Sequence, residues 1–256
     1  MSLLSVRDLR LSFGGLTVVN GVSFDLEPAE ILAVIGPNGA GKTSAFNCVT
    51  GVYRPQRGSV TVDGRPITGL PPSRIAGLGL ARTFQNLRLF PAMSAEDNVR
   101  AGLHRATRQA LWDVLLHTPR YRRSERESLE QARHWLDVAG YEGDPGQPAG
   151  TLPYGEQRRV ELARALAAGP RVLLLDEPAA GLNHAERSGL VRLIREVRST
   201  GVAVLMIEHD MGLVLELADR VAVLDRGRKI ADGPPDEIRT DQAVIDAYLG
   251  DADAAA

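Results

Sequence analysis

Only one cysteine, Cys48, stands among the 256 residues. No intramolecular disulfide can form, which fits a reducing compartment. The first residues, Met1 to Arg10, lack the long apolar core of a secretory leader. Nowhere do about 18 apolar residues run together, as a membrane-spanning helix requires. The longest such stretches, Val172 to Leu175 and Val202 to Ile207, have the length of buried strands. Any role at a membrane therefore has to come through a partner. Lysine is nearly missing too: of 30 basic residues only Lys42 and Lys229 are lysines. The formal net charge of -2 leaves no global pull towards nucleic acid or anionic lipid, and no nucleic-acid partner is expected.

What is present is an ordinary globular composition, 44% hydrophobic and 24% charged, enough for a sizeable core. Leu3 to Phe13 and Val18 to Leu26 alternate apolar and polar residues around Gly14-Gly15. Ile31 to Ile35 is a continuous apolar run, suited to a central strand buried on both faces. Ser59 to Val62, closed by Asp63-Gly64, reads as a further hairpin strand. From Ser94 to Gly150 strand signals give way to helical ones. Ser94 with Asp97, and Ser124 with Glu127, match the capping-box pattern of helix starts. Leu129, Ala132, Leu136 and Ala139 repeat at helical spacing. The chain then alternates: helix at Gly155 to Ala168, strand at Val172 to Leu175, helix at Ala185 to Arg198, strand at Val202 to Ile207. Such alternation implies right-handed crossovers and a largely parallel sheet.

Gly36-Pro37-Asn38-Gly39-Ala40-Gly41-Lys42-Thr43 matches the phosphate-binding pattern G-x-x-x-x-G-K-[ST], after a buried strand and before a helical stretch. Glycines let the backbone curl so that several N–H groups point at one anion. The following helix turns its positive end to the same phosphates. In this pattern Lys42 reaches the β and γ oxygens, and Thr43 offers a hydroxyl to Mg²⁺. The competing reading, a glycine-rich structural turn, leaves unexplained why one of the two lysines stands here. Leu173-Leu174-Leu175 ends in Asp176-Glu177, an acidic pair at a strand's carboxyl end. There Asp176 suits the water shell of Mg²⁺, and Glu177 suits the orientation or deprotonation of an attacking water. Taken alone, the pair reads equally as solvated loop residues. His209, in Ile207-Glu208-His209-Asp210, also follows a late strand. Its two readings are a surface or packing residue and a γ-phosphate contact.

Leu152-Pro153-Tyr154-Gly155-Glu156-Gln157-Arg158-Arg159 resembles the signature motif of ABC ATPases. Gln85, in Arg82-Thr83-Phe84-Gln85-Asn86, is similar to that family's Q-loop glutamine, Gly181-Leu182-Asn183 to its D-loop, and His209 to its switch histidine. Phe13 stands where the family stacks an aromatic ring on adenine. The resemblance runs from about Leu3 to Gly250. It implies an α/β fold: a P-loop NTPase core with an N-terminal antiparallel β-subdomain and a helical subdomain inserted at about 94–168; the short tail at 251–256, beyond the resemblance, reads as flexible. The resemblance further implies ATP and Mg²⁺ as cofactors, nucleotide binding by Phe13, Gly36 to Thr43 and Ser44, and metal contacts from Thr43, Gln85 and Asp176. Glu177 and His209 would be catalytic, while Leu152, Pro153, Tyr154, Gly155, Glu156 and the D-loop Asn183 would act across a pair of subunits.

Tyr154-Gly155, Ala179 to Asn183, Ile207 to Met211, Thr118 to Arg123 and Ile245 to Gly250 resemble the ATPases of branched-chain amino acid importers. That subgroup implies a homo- or heterodimeric ATPase pair beneath two membrane permeases, at the cytoplasmic face of the inner or plasma membrane, fed indirectly by an external solute-binding protein. Other readings are the same machine with urea, amides or another amino acid as cargo, the lipopolysaccharide-export ATPase, and a non-transport ABC ATPase. The sequence departs from the family pattern at Pro153, which lacks both a hydroxyl and an N–H, and at Asn183 and His184, where Asp and Pro are common. The stretch from His104 to His134 carries seven Arg against four acidic residues. It reads as a solvated helix surface, or as a face for lipid headgroups or permease loops.

Overall fold

The computed structural model describes residues 2–83, 87–103 and 119–254. These fall into two compact units: Met1–Arg82 with Arg171–Pro178 and Ile194–Ala256, and Thr83–Pro170 with Ala179–Leu193.

The first unit holds two sheets. Strands β1 (Leu4–Phe13) and β2 (Leu16–Leu26) pair antiparallel about Gly14-Gly15, both at positive φ. With β4 (Arg57–Val62) and β5 (Arg65–Pro66) they form a sheet in the order β2-β1-β4-β5. Strand β1 shows how one residue resets a period of two. Leu4 and Val6 are buried, but so are Leu9 and Leu11, which lie in the opposite phase. The register shifts between Val6 and Leu9, where Asp8 takes φ 51° and donates its N–H to Ser23 Oγ at 2.8 Å. One extra residue at this bulge returns the leucines to the core face.

The second sheet runs β10-β9-β3-β8-β7-β6. Its members are β3 (Ile31–Ile35), β6 (Leu80–Arg82), β7 (Val172–Asp176), β8 (Ala203–Ile207), β9 (Arg220–Asp225) and β10 (Arg228–Gly233). All pairs are parallel except β9 with β10. Every residue of β3, β7 and β8 is buried, as unbroken apolar runs require. A single core joins the two sheets. Leu4, Val6, Leu9, Val22 and Val60 meet Leu32, Val34, Leu174, Leu205 and Leu224, with Phe46 of helix α1 (Lys42–Val49) fully buried among them. Each such side chain contributes about 1.5–3 kcal/mol of burial. Helix α2 (Pro72–Gly77) adds Ile75 to the same core.

The second unit is helical. Helices α3 (Ala95–Leu103), α4 (Pro119–Val138) and α5 (Tyr154–Ala167) pack on one another through Val99, Leu103, Ala132, Leu136, Val160 and Ala163. Gly102 permits a close crossing: a Cβ there would lie 2.4 Å from the Arg164 carbonyl. Ser94 caps α3, accepting from Asp97 N–H at 3.0 Å and donating to its carboxylate at 2.9 Å. The second expected cap is corrected. Ser124 lies inside α4, and Glu127 pairs with Arg123 one turn back. The motif at 124–127 matched a cap because S-x-x-E also serves mid-helix, where i,i+4 pairing uses the glutamate.

Helix α6 (His184–Ser199) starts in the helical unit and ends in the other. The chain closes with α7 (Met211–Leu217), α8 (Pro235–Thr240) and α9 (Gln242–Ala254), so the expected tail is helical as far as Ala254.

Asn98, fully buried on α3, ties down the loop before it. Its amide donates to Phe90 O and Ser94 O, both at 3.0 Å, and its oxygen accepts from Phe90 N–H at 2.8 Å. Asn98→Ala should cost about 1–3 kcal/mol, because three part-buried backbone groups, the Phe90 N–H among them, each lose the hydrogen bond to Asn98. Guanidinium unfolding measures the loss, and amide exchange at Phe90 should accelerate. Unchanged values for both would show that the loop holds its shape without Asn98.

Candidate nucleotide site

Three neighbouring parallel strands end at one level. Val34 of β3 and Asp176 of β7 both pair with Ile207 of β8. The next amides continue the ladder, Glu208 N–H to Val34 O at 3.4 Å and Glu177 N–H to Ile207 O at 3.0 Å. Gly36, Glu208-His209 and Asp176-Glu177 therefore emerge side by side at the carboxyl edge of the sheet, where open α/β sheets bind ligands.

After β3 the chain turns through Gly36 to Gly41 into α1. Gly36 has φ 145°, and a Cβ on it would sit 2.0 Å from the Leu224 carbonyl oxygen. Gly41 has φ 95°, with Val18 O at 2.4 Å from the same virtual atom. Gly39, at φ 77°, meets no neighbour and is required by its backbone alone. Between these turns Pro37 and Ala40 are buried, and Asn38 is exposed. The Lys42 side chain is folded back into the loop, its ammonium donating to Gly36 O at 2.7 Å and Pro37 O at 2.9 Å. Thr43 is exposed and Ser44 half-buried in the first turn of α1, whose leading N–H groups lack helical partners. The curled glycines, the ammonium and the helix end together form an anion cradle.

Asp176 is nearly buried, and its Oδ2 accepts from Arg82 at 2.8 Å. Glu177 turns the chain at φ 46°, a conformation uncommon outside glycine. Its Oε2 lies 3.9 Å from Nδ1 of His209. His209 is well exposed, and its own N–H donates at 3.2 Å to the buried Glu208 carboxylate. Asp210 then caps α7 by accepting from Leu213 N–H at 3.1 Å. Phe13, at the end of β1, is half-exposed and meets Tyr53 edge-on at 5.2 Å. Sequence reasoning missed Tyr53, Arg82 and Glu208: the two charges sit in apolar strand contexts, and no local pattern marks them as buried. Gln85 lies outside the described residues.

The signature stretch and Asn183 lie in the helical unit. Leu152 is buried, and its carbonyl accepts from the Gln157 amide at 2.8 Å. Pro153 is the N-cap of α5, and its carbonyl accepts the Gln157 N–H. Its missing N–H removes no helical bond, because a cap's own amide lies outside the ladder. Tyr154 is exposed, with the Arg158 guanidinium 5.8 Å from its ring centre. Glu156 pairs with Arg159 at 3.2 Å. Asn183 and Glu186 cap α6 reciprocally: Asn183 N–H donates to Glu186 Oε2 at 2.8 Å, and Glu186 N–H to Asn183 Oδ1 at 3.0 Å. The same Glu186 carboxylate fills the space beside Gly155, its Oε1 2.0 Å from where a Cβ would stand.

A β-strand, a glycine-curled loop with a buried lysine, and a neighbouring acidic strand end define a P-loop nucleotide-binding protein. The ABC transporter family model matches residues 19–180, and that of the branched-chain amino acid ATP-binding cassette transporters matches residues 228–254. The chain is 48% identical to the high-affinity branched-chain amino acid transport ATP-binding protein BraF of Pseudomonas aeruginosa, over 98% of both chains. It is 37% identical to the lipopolysaccharide export system ATP-binding protein LptB of Acidithiobacillus ferridurans, over 97% of both. Among solved structures, the ADP conformation of MJ1267, an ATP-binding cassette of an ABC transporter, superposes with a TM-score of 0.84 at 27% identity, covering 98% of this chain and 99% of that one. The chain belongs to the ABC transporter family, as an ATP-hydrolysing cassette.

Gly155→Ala should collide with Glu186 and break the reciprocal cap, lowering the thermal midpoint by several degrees, for about 1–2 kcal/mol. Adding Glu186→Ala to that variant should cost less than Glu186→Ala costs in the native chain. Additive losses in differential scanning calorimetry would refute the steric link.

Proposed function

We propose that this chain hydrolyses ATP to drive a branched-chain amino acid importer, working as one of a homo- or heterodimeric ATPase pair under two membrane permeases. The observation that carries the reading is the shared strand-end level. It gathers an anion cradle, a buried carboxylate and a Glu–His pair on one edge, in a chain alike over its full length to a branched-chain transport protein. The lipopolysaccharide reading has a weaker likeness behind it, 37% against 48% identity.

The residues fit ATP with Mg²⁺. Among the described residues no three His, Cys, Asp or Glu side chains cluster as a metal cage. Thr43 and Asp176 offer one hydroxyl and one carboxylate, and Gln85 belongs to the same reading. So few protein ligands suit Mg²⁺, which keeps several waters and takes phosphate oxygens. The bound ion would neutralise charge on the phosphates. Gly36 to Ser44 bind phosphate through backbone N–H groups, with Lys42 leaving its loop carbonyls to pair with phosphate oxygens. Phe13 supplies a ring face for the adenine. Glu177 holds and deprotonates the attacking water, and His209, within reach of Glu177, orients that water and the terminal phosphate.

Leu152 to Glu156 close a site on the paired subunit. With Pro153 unable to donate, the free N–H groups of Tyr154, Gly155 and Glu156 in the first turn of α5 make the phosphate contact. Among the described residues no helix is long and apolar enough to cross a membrane. On this reading the chain attaches at the cytoplasmic face through the permeases, as its likeness to a branched-chain transport ATP-binding protein supports, with an external solute-binding protein choosing the cargo.

Glu177→Gln should keep ATP affinity while cutting hydrolysis by about a hundredfold or more, measured by phosphate release beside equilibrium binding. Near-normal turnover would remove Glu177 from the base role. Lys42→Ala should weaken nucleotide binding itself, and unchanged affinity would count against the cradle. Cargo is tested with permeases and binding protein reconstituted in vesicles: ATP-dependent uptake of leucine, isoleucine and valine is expected, and uptake of urea or amides alone would overturn it.

A further inference from the structure

Arg82 belongs to no part of the ATP chemistry assigned above, yet it is wired into the centre of the first unit. It is the last residue of β6 and pairs in parallel register with Leu174, two positions before Asp176. One arm of its guanidinium, Nη2, donates to Asp176 Oδ2 at 2.8 Å. The other, Nη1, donates to Asn47 Oδ1 at 2.7 Å and to Thr50 Oγ1 at 3.0 Å. Asn47 lies in α1 one turn after Thr43, and Thr50 is the C-cap of the same helix. The Thr50 hydroxyl spends its proton on Phe46 O at 2.9 Å, which leaves its lone pairs for Arg82. The guanidinium carbon also lies 6.0 Å from the centre of the buried Phe46 ring. Side-chain exposure is 8% for Arg82 and 5% for Asp176, so water competes little with these bonds.

A buried ion pair is poor evidence of stabilisation, because desolvation offsets most of the Coulomb gain. What it does supply is geometry. The planar fork of arginine has fixed donor directions, so three acceptors on two elements settle its position, and it in turn settles the rotamer of Asp176. Only Oδ2 of that carboxylate is engaged by Arg82.

We infer that Arg82 is a positioning residue for the metal side of the nucleotide site. It ties Asp176 to the helix that carries Thr43 and leaves Oδ1 to accept from a metal-bound water. The inference rests on Asp176 facing Mg²⁺. Geometry and charge have opposite signs here. The guanidinium lowers the net negative charge offered to a cation, so a purely electrostatic account has Arg82 weakening metal binding. Arg82→Lys keeps the charge and removes the fork, which isolates the geometric part.

The test titrates the full chain with a fluorescent ADP, once in EDTA and once in excess Mg²⁺, with Mn²⁺ paramagnetic resonance on the ADP complex as a second readout. Arg82→Lys should bind ADP in EDTA within about twofold of the native chain, while the gain in affinity conferred by Mg²⁺ falls about tenfold, as when a metal ligand loses its outer partner. The Mn²⁺ signal should broaden as the carboxylate loses its fixed pose. An undiminished Mg²⁺ gain overturns the inference, and so does an equal loss in EDTA, which would mark Arg82 as a support of the loop alone. Asn47→Ala removes the nearer of the two acceptors of Nη1, leaving Thr50, without touching the carboxylate, and guards against a folding failure of the lysine variant. It should lower the Mg²⁺ gain in the same direction by about twofold or more, and no change there is equally decisive against the inference. The native chain serves as control: if it shows no Mg²⁺ gain, the reading of Asp176 fails first, whatever Arg82 does.

Discussion

The hydrogen-bonded register of β3, β8 and β7 is the constraint from which the nucleotide edge follows. Each strand is apolar and buried on both faces, so it cannot slide along its neighbour without drawing a polar end residue into the core. The pairs Val34–Ile207 and Asp176–Ile207 lock the three carboxyl ends to one level. Residues 36, 176–177 and 208–209, far apart in the chain, become neighbours because the ladder leaves them no other place. Chemistry at this edge thus depends on core packing behind it. Phe46 and the leucines of both sheets hold the strands flat against α1, and α1 holds Lys42 and Thr43 at the loop's end.

Among the described residues, eight polar or charged side chains are buried. Lys42, Thr50, Asp176 and Glu208 are buried in the first unit, and Thr83, Asn98, Arg158 and Glu161 in the helical one. In the second group Arg158 donates to Glu161 at 2.9 Å, and the Arg88 N–H reaches the other Glu161 oxygen at 3.4 Å. Burial pushes the Glu161 carboxyl above its ordinary range, against the opposing pull of Arg158. Each buried ion is expensive unless partnered, and each here has partners that fix its direction.

Local rules explain much, and their failures are instructive. The glycine loop, the acidic strand end and the Ser94 cap are legible because each depends on residues close in sequence: a turn, a strand terminus, a first helical turn. Ser124-x-x-Glu127 misleads because the same spacing serves a mid-helix ion pair, and only the surrounding helix distinguishes the two. Pro153 looks like a defect in a motif, but it is harmless to the helix once its position as N-cap is known. Arg82 was invisible because its partners, Asn47, Thr50 and Asp176, lie 35, 32 and 94 residues away.

By itself, then, the sequence determined the menu: which segments are strands and helices, where the glycine-rich loop lies, and which family the order of motifs belongs to. These follow from hydrophobic period, glycine content and residue chemistry, all of which act over a few residues. Tertiary structure decided which of those pieces meet. It set Glu177 beside His209, bulged β1 at Asp8 to return its leucines to the core, and closed the Arg82 fork on Asp176. Such contacts depend on strand register and burial summed over the whole sheet, and no short window of sequence contains that sum.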